Sequence, residues 1–341
     1  MNPGWLAPLT PLYAAGLAAK NSAFDRGWLK PHRLRWPVVS IGNLSVGGSG
    51  KTPLTILLAE LLMANGVAPD VLSRGYGRDS MAAERVDPEG DALRFGDEPL
   101  LIARRAGVPV VVGGSRYEAG LLAEAGQASP TTAGNDFRIH LLDDGFQHRQ
   151  LARDADIVVL HRSDFSETLL PAGRLREPLR ALRRADFVVL REEDAELERE
   201  LRQLDVGAPV WWMRRSVDLP QRIGQSPLEG GNVKRAVAFC GIARPAEFFS
   251  ALTDIGILLA QTIAFPDHHR FTSADLERLA RACAEAGADA LITSEKDAIK
   301  LNQGSLRVLD EAAPVRVARL VVSLRDEETA IRQIKAKTIE R

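Results

Sequence analysis

The stretch Val38-Val39-Ser40-Ile41-Gly42-Asn43-Leu44-Ser45-Val46-Gly47-Gly48-Ser49-Gly50-Lys51-Thr52 constrains the fold more than any other part of this chain. A β-branched run passes into a glycine-rich turn, and Lys-Thr opens an apolar helix that reads Leu54 to Leu62. Strand, loop and helix in that order are the context a phosphate-binding loop requires. Glycines let successive backbone N–H groups converge on an anion without Cβ clashes, and the helix start adds partial positive charge. In such a loop Lys51 reaches the β- and γ-phosphates, and the Thr52 hydroxyl is placed to ligate Mg²⁺. The pattern G-x-x-x-x-G-K-[ST] asks for glycine at position 45, where this chain has Ser45. A glycine-rich turn that binds nothing is the plainer alternative; the flanking strand and helix favour nucleotide.

A second apolar run, Ile139-His140-Leu141-Leu142, ends in Asp143-Asp144-Gly145-Phe146-Gln147-His148. Paired acids at a strand end can be only a turn, but behind a phosphate loop they stand where a carboxylate holds Mg²⁺ directly or through water. The next residues are polar and varied enough to touch a substrate. Arg74-Gly75-Tyr76-Gly77-Arg78 follows a strand reading Val67 to Ser73 and is either a ligand-facing loop or a surface turn. Gly96-Asp97-Glu98-Pro99 opens a helix in which Asp97 sits where an N-cap belongs, so capping is a sufficient role on local grounds. Arg116, near the start of another helix, contacts phosphate or is merely solvated.

Strands alternating with helices through this half indicate a parallel sheet covered on both faces, with its sites at the carboxyl ends of the strands. The loops at residues 45, 75, 97, 143 and 175 should gather there. The stretch 218–234 holds Pro220, Pro227 and several glycines without apolar periodicity, and reads as a linker. A second α/β unit follows. It contains Asp267-His268-His269, where solvated side chains are the default because no third metal ligand stands at a convincing spacing. The expected fold is α/β: a P-loop NTPase-like, mostly parallel sheet flanked by helices, with a second, smaller α/β domain. The divisions are 1–35, an apolar helix with a basic flank; 36–217, the P-loop core; 218–234, the linker; 235–325, the smaller domain; and 326–341, a charged helix with little to bury.

The amino-terminal piece is unusual. Trp5 to Ala19 carries no charge, and Lys20, Arg26, Lys30, Arg33 and Arg35 follow, opposed only by Asp25. It is too short to span a bilayer and lacks the basic start of a signal peptide. An apolar helix with a basic flank suits an anionic lipid surface, and packing on its own domain suits it equally. The net charge of −1 gives no global pull toward nucleic acid, and two distant cysteines, Cys240 and Cys283, fit a reducing compartment.

Six motifs now stand in order: Val46-Gly47-Gly48-Ser49-Gly50-Lys51-Thr52-Pro53, Arg74-Gly75-Tyr76-Gly77, Gly96-Asp97-Glu98-Pro99, Asp143 to His148, Leu175-Arg176-Glu177-Pro178 and Asp267-His268. Each is weak by itself. Together they resemble the tetraacyldisaccharide 4′-kinase family of lipid A biosynthesis over nearly the whole chain, and that family does not require glycine at position 45. The resemblance implies a kinase that moves the γ-phosphate of ATP to the 4′-hydroxyl of a tetraacylated glucosamine disaccharide 1-phosphate, giving lipid IVA. It implies ATP and Mg²⁺ as cofactors, with Val46, Gly47, Gly48, Ser49, Gly50, Lys51 and Thr52 on the nucleotide and Thr52, Asp143 and Asp144 on the metal. Asp97 and His268 match the family's catalytic dyad, while Tyr76, Arg116, Gln147, His148, Arg176 and Glu177 match positions near the metal or the disaccharide head group. The partners implied are the lipid A precursor and a membrane surface, at the cytoplasmic face of the bacterial inner membrane through the amino-terminal helix. No nucleic acid and no obligate protein partner are implied. Two rivals remain at this point: a P-loop switch or assembly ATPase, and a soluble small-molecule kinase. A guanine-specific version needs an Asn-Lys-x-Asp motif, and Glu295-Lys296-Asp297 lacks that spacing.

Overall fold

A computed structural model of the chain describes residues 4–48, 50–125, 137–222 and 233–339. Its first half alternates as the apolar runs require. Strands β1 (Val38–Asn43), β2 (Ala68–Ser73), β3 (Glu84–Arg85), β4 (Val110–Val112), β5 (Arg138–Asp143), β6 (Ala155–Val159) and β7 (Phe187–Arg191) are interleaved with helices. Those helices are α1 (Thr10–Asp25), α2 (Lys51–Ala64), α3 (Ala92–Phe95), α4 (Asp97–Ala106), α5 (Arg116–Ala125) and α6 (Leu197–Gln203). The second half contributes β8 (Val210–Arg222), β9 (Ala236–Cys240), β10 (Leu259–Ala264), β11 (Ala290–Ser294) and β12 (Val315–Leu324). Its helices are α7 (Pro245–Asp254), α8 (Ser273–Ala286), α9 (Glu295–Ala298), α10 (Gln303–Asp310) and α11 (Glu327–Ile339).

All the strands belong to one sheet, ordered β10-β9-β11-β12-β8-β7-β6-β1-β5-β2-β4-β3. Its ladders are parallel apart from β12–β8 and β3–β4, giving the mostly parallel sheet flanked by helices that the alternation predicts. The β8–β12 pair determines the shape of the site. β8 starts level with β7, pairing Met213 with Arg191, then runs on past β7's end to meet the first residues of β12, with Gln221 opposite Val317. β11 is hydrogen-bonded to that far part of β12, from Val315 to Ala318. Because β12 runs against β8, the carboxyl ends of β9, β10 and β11 point back at those of β1, β2 and β5. The exposed middle of the β8–β12 ribbon forms the floor between them.

Two expectations change here. The stretch 218–234 is not wholly a linker, since its first five residues continue β8, where pairing with β12 satisfies backbone groups that a loop would leave to water. Residues 223–232 lie outside the described part. The carboxyl-terminal helix also buries more than its charge suggests: Ala330, Ile331 and Ile334 lie in the same core as Leu54, Leu58 and Leu62 of α2. Their i, i+1, i+4 spacing makes a narrow apolar stripe among charged neighbours. A second core, with Phe239, Leu279 and Leu291, lies under α8. That helix is fixed at its start by a capping box between Thr272 and Asp275 and stopped by Gly287 in the left-handed conformation.

Helix α1 has no buried residue. Tyr13 donates to the Arg176 carbonyl at 2.8 Å and Asn21 to Glu177 at 3.0 Å, so the helix is pinned by polar contacts rather than by its apolar side chains. Leu9 and Leu12 remain 50% and 73% exposed. Among the described residues no helix is long and apolar enough to cross a membrane.

Candidate active site

The loop after β1 turns through Ser45, which is buried and bridged to Leu175, then through Val46, Gly47 and Gly48. Gly50, with φ of 93°, precedes Lys51 at the start of α2. Gly47, with φ of 106°, leaves room for the guanidinium of Arg174, which donates to the Val46 carbonyl at 2.9 Å; Arg244 from the second half donates to the Gly48 carbonyl at 2.9 Å. Ser49 lies outside the described residues.

Lys51 reaches back along β1 to Asn43 Oδ1 at 3.0 Å and lies 3.5 Å from Asp144. Asp144 takes both arms of Arg176 at 2.9 Å. Burial would raise its pKa, but Lys51 and Arg176 outweigh burial and hold it well below the usual carboxylate range. Asp143, at the end of β5, is pushed upward instead by burial, then by Glu98 and Asp144. Thr55 and Ser73 donate to it at 3.4 and 3.3 Å. Two carboxylates at the foot of a phosphate loop, with the Thr52 hydroxyl opening the next helix, form an all-oxygen donor set of the kind Mg²⁺ takes. Among the described residues no three Asp, Glu, His or Cys side chains form a metal cage. This arrangement suits an ion that draws its other ligands from phosphate and water.

Around the acids, Gln147 donates to the Asn43 carbonyl at 2.8 Å. Asn43 Nδ2, Gln147 Oε1, Arg116 Nε and Arg176 Nε are buried without a hydrogen-bond partner among the described residues. Burial and the nearby Arg74 lower Arg116 to about 10, which leaves it cationic at neutral pH. Burial, Arg116 and Arg153 lower His148 to about 4, which leaves it neutral. Tyr76 is 63% exposed. Glu177 is placed differently from the other predicted contacts: it pairs with Arg184 at 2.9 Å and accepts from Asn21, holding α1 rather than facing the cavity.

Asp97 is the first residue of α4, and the cap position belongs to Gly96, with φ of 88°, where an added Cβ would come within 3.1–3.2 Å of the Gly75–Tyr76 backbone. Asp97 accepts from its neighbour's N–H at 3.0 Å, and both its oxygens meet His268 Nδ1, at 2.9 and 3.1 Å. Burial would raise Asp97, but the His268 hydrogen bond and the Lys296 charge hold it below its usual range. Burial would lower His268, but the bond to Asp97 outweighs it and sets the imidazole above its ordinary value. The Tyr76 ring lies 5.1 Å from that of His268. His269 turns the other way, onto Phe265 and Asp275. Among the described residues, Asp144, Asp205 and His268 are the non-glycine residues with left-handed backbone, and two of these are in the site, where strain tends to collect.

Lys51, Arg116, Asp143, Asp144, Gln147, His148 and His268 line one cavity of about 1180 Å³, floored by Ser216 and Val217 of β8 and Leu320 to Val322 of β12, with Asp97 held against it by His268. Sequence reasoning missed Asn43, Glu98, Arg244 and Lys296. Asn43 and Glu98 lay inside motifs already singled out, but Arg244 and Lys296 carried no local signal.

A phosphate loop, an acidic pair on the adjoining strand and a carboxylate–imidazole pair joining the two halves beside them define a P-loop phosphotransferase. The family described as tetraacyldisaccharide-1-P 4′-kinase (LpxK) matches residues 4–338. A tetraacyldisaccharide 4′-kinase of Koribacter versatilis is 44% identical, with 98% of each chain covered. One of Chromobacterium violaceum is 42% identical over 91% of this chain and 87% of that one. A crystal structure of LpxK from Aquifex aeolicus in complex with ATP superposes with a TM-score of 0.75 at 34% identity, covering 98% of both chains. This chain belongs to the tetraacyldisaccharide-1-P 4′-kinase family, the ATP-dependent kinases of lipid A biosynthesis.

Proposed function

We propose that this chain transfers the γ-phosphate of ATP to the 4′-hydroxyl of a tetraacylated glucosamine disaccharide 1-phosphate, giving lipid IVA, at the cytoplasmic face of the bacterial inner membrane. The observation that carries the reading is the meeting of Asp97 and His268, distant in sequence, at 2.9 Å, where His268 lines the cavity that also holds Lys51, Asp143 and Asp144. Val46 to Thr52 cradle the triphosphate, with Lys51 toward the β- and γ-phosphates. Thr52, Asp143 and Asp144 would hold Mg²⁺, which when bound offsets charge on the phosphates.

Asp97 accepts the proton of the attacking hydroxyl as transfer proceeds. A sugar hydroxyl ionises far above neutral pH, so a positioned acceptor lowers the barrier even where bond breaking leads. His268 orients Asp97 through Nδ1. Arg116, Gln147, neutral His148 and Tyr76 border the acceptor side, and Arg176 couples Asp144 to the α1 anchor through its own carbonyl. Asp97 comes from the first half of the chain and His268 from the second, so closure of the cleft gates the reaction. Helix α1 lies on the lipid surface where the acyl chains are, a reading supported by the exposed Leu9 and Leu12 next to a basic flank.

Incubating the protein with Mg-ATP and the disaccharide 1-phosphate in detergent should give a product one phosphate heavier, with ADP release dependent on the acceptor. ADP release without acceptor, and no heavier lipid, would point to a switch ATPase and overturn the proposal. Turnover of soluble sugars in preference to the lipid would overturn the acceptor assignment.

A further inference from the structure

We propose that Lys296 is a positioning residue of this site: its ammonium, seated on Nε2 of His268, fixes the imidazole as the Nδ1–H tautomer that donates to Asp97. The inference rests on the proposed pairing of Asp97 with His268 as the proton-accepting unit.

Lys296 is the second residue of α9, a short helix held in place by buried contacts. Ser294 caps it, and the fully buried Asp297 accepts from Ser294 Oγ and from the Gly241 N–H at 2.9 Å. From this base Lys296 Nζ extends to Glu98 at 3.0 Å, Asp267 at 3.4 Å and His268 Nε2 at 3.2 Å, with Asp97 Oδ2 at 4.0 Å. An ammonium has three donors and no acceptor. Its three close partners use all three donors, so Nε2 must present its lone pair. The ring proton then lies on Nδ1, facing both Asp97 oxygens. Protonating His268 would set an N–H against the ammonium, so titration of the imidazole and loss of the Lys296 contact are the same event.

The charged groups acting on His268 are Asp97 on α4, Asp267 on its own loop and Lys296 on α9; Glu98 on α4 pairs with Lys296, Lys300 just beyond α9 acts on Asp97, and the Tyr76 ring lies alongside. The carboxylates favour the imidazolium. Lys296 is the close cation that opposes it, and so preserves the neutral form in which Asp97 keeps a free lone pair for the hydroxyl. A purely structural tie between α4 and α9 is already supplied one residue away, where Arg105 holds Glu295 at 2.7 Å.

The experiment compares wild type, Lys296→Met and Lys296→Arg in rate against pH and in histidine ¹⁵N NMR. The wild-type spectrum above the acid limb should show His268 neutral and protonated at Nδ1. Lys296→Met should move the acid limb of kcat upward by about one pH unit or more, leave the KM for ATP unchanged, and show imidazolium where wild type is neutral. Lys296→Arg should return the limb toward wild type, and Arg105→Met should leave it in place. An Nε2–H tautomer in wild type overturns the inference, and so does an unmoved limb in a folded Lys296→Met; if that variant does not fold, the wild-type spectrum decides alone. Failure of the underlying reading would show separately, as His268→Ala turning over at the wild-type rate.

Discussion

Replacing Asp97 with Asn tests the proposed chemistry with least disturbance of the fold. The side chain is 6% exposed, and the amide matches the carboxylate in shape. Its oxygen can still accept from His268 Nδ1, so the 2.9 Å contact survives while the negative charge and the spare basic lone pair are lost. Two stabilising effects go with the charge: the interaction with the start of α4, about 0.3–1 kcal/mol, and the attraction to Lys296 at 4.0 Å. Relief of carboxylate burial offsets part of this, so a net loss near 1 kcal/mol is expected and the protein stays folded. Catalysis should suffer far more. Losing a positioned proton acceptor costs about 10²–10⁴ in rate, or about 3–5 kcal/mol in the barrier. Because Lys51 and the phosphate loop are untouched, the KM for ATP should stay close to wild type, and the whole effect should fall on kcat. Initial rates of transfer from γ-labelled ATP to detergent-dispersed disaccharide measure this, with thermal unfolding as the control for folding. A folded Asp97→Asn protein with kcat within about threefold of wild type would refute the assignment of Asp97 as acceptor.

Two further outcomes follow from other parts of the molecule. His140 is buried between Asp70 at 2.7 Å and Glu124 at 3.4 Å, and although burial opposes ionisation these acids raise its pKa to about 9. A raised histidine pKa stabilises fully below the unfolded value of about 6.5 and is lost as pH rises through 9, so about 3 kcal/mol should disappear across that window. Urea unfolding at intervals from pH 6 to 10 reads this, and an equal slope in a His140→Gln protein would refute the attribution. Replacing Leu9 and Leu12 with Asp should weaken binding to anionic vesicles by at least about tenfold while leaving kcat on detergent-dispersed acceptor near wild type, since neither residue contacts the cavity. Unchanged vesicle partition in a sedimentation assay would remove α1 from the lipid surface.

What could be read in advance follows the range of the forces involved. The phosphate loop, the acidic pair and the start of α4 were legible because each is specified within a dozen residues by backbone freedom, capping and strand periodicity. Asp97 with His268 was legible only through resemblance, since local rules gave Asp97 a sufficient role as a cap and His268 a solvated loop. Lys296 was not legible at all. Its position beside His268 depends on β11 ending next to the loop after β10, an outcome of strand order that no short stretch encodes. Glu177 shows the converse, a motif residue that packing turns toward Arg184 and α1.

The most consequential miss was β8, because it sets the geometry of the cleft. The run Val210-Trp211-Trp212-Met213-Arg214-Arg215-Ser216-Val217-Asp218 mixes apolar and cationic residues, and Pro220 close behind reads as a break. Its partner β12 lies about a hundred residues further on, so nothing local marks it as a strand. Yet from Met213, level with β7, to Asp218, opposite Arg319 of β12, the ribbon crosses roughly 17 Å. That span separates the carboxyl ends of the first-half strands from those of β9, β10 and β11. A parallel β12 would have turned β11, and Lys296 with it, away from Asp97. The antiparallel pairing with its offset register makes a cleft with two walls of strand ends, one bearing the phosphate loop and Asp97, the other His268 and Lys296. Long-range pairing of β8 with β12 therefore joins two halves, each legible in sequence, into one site.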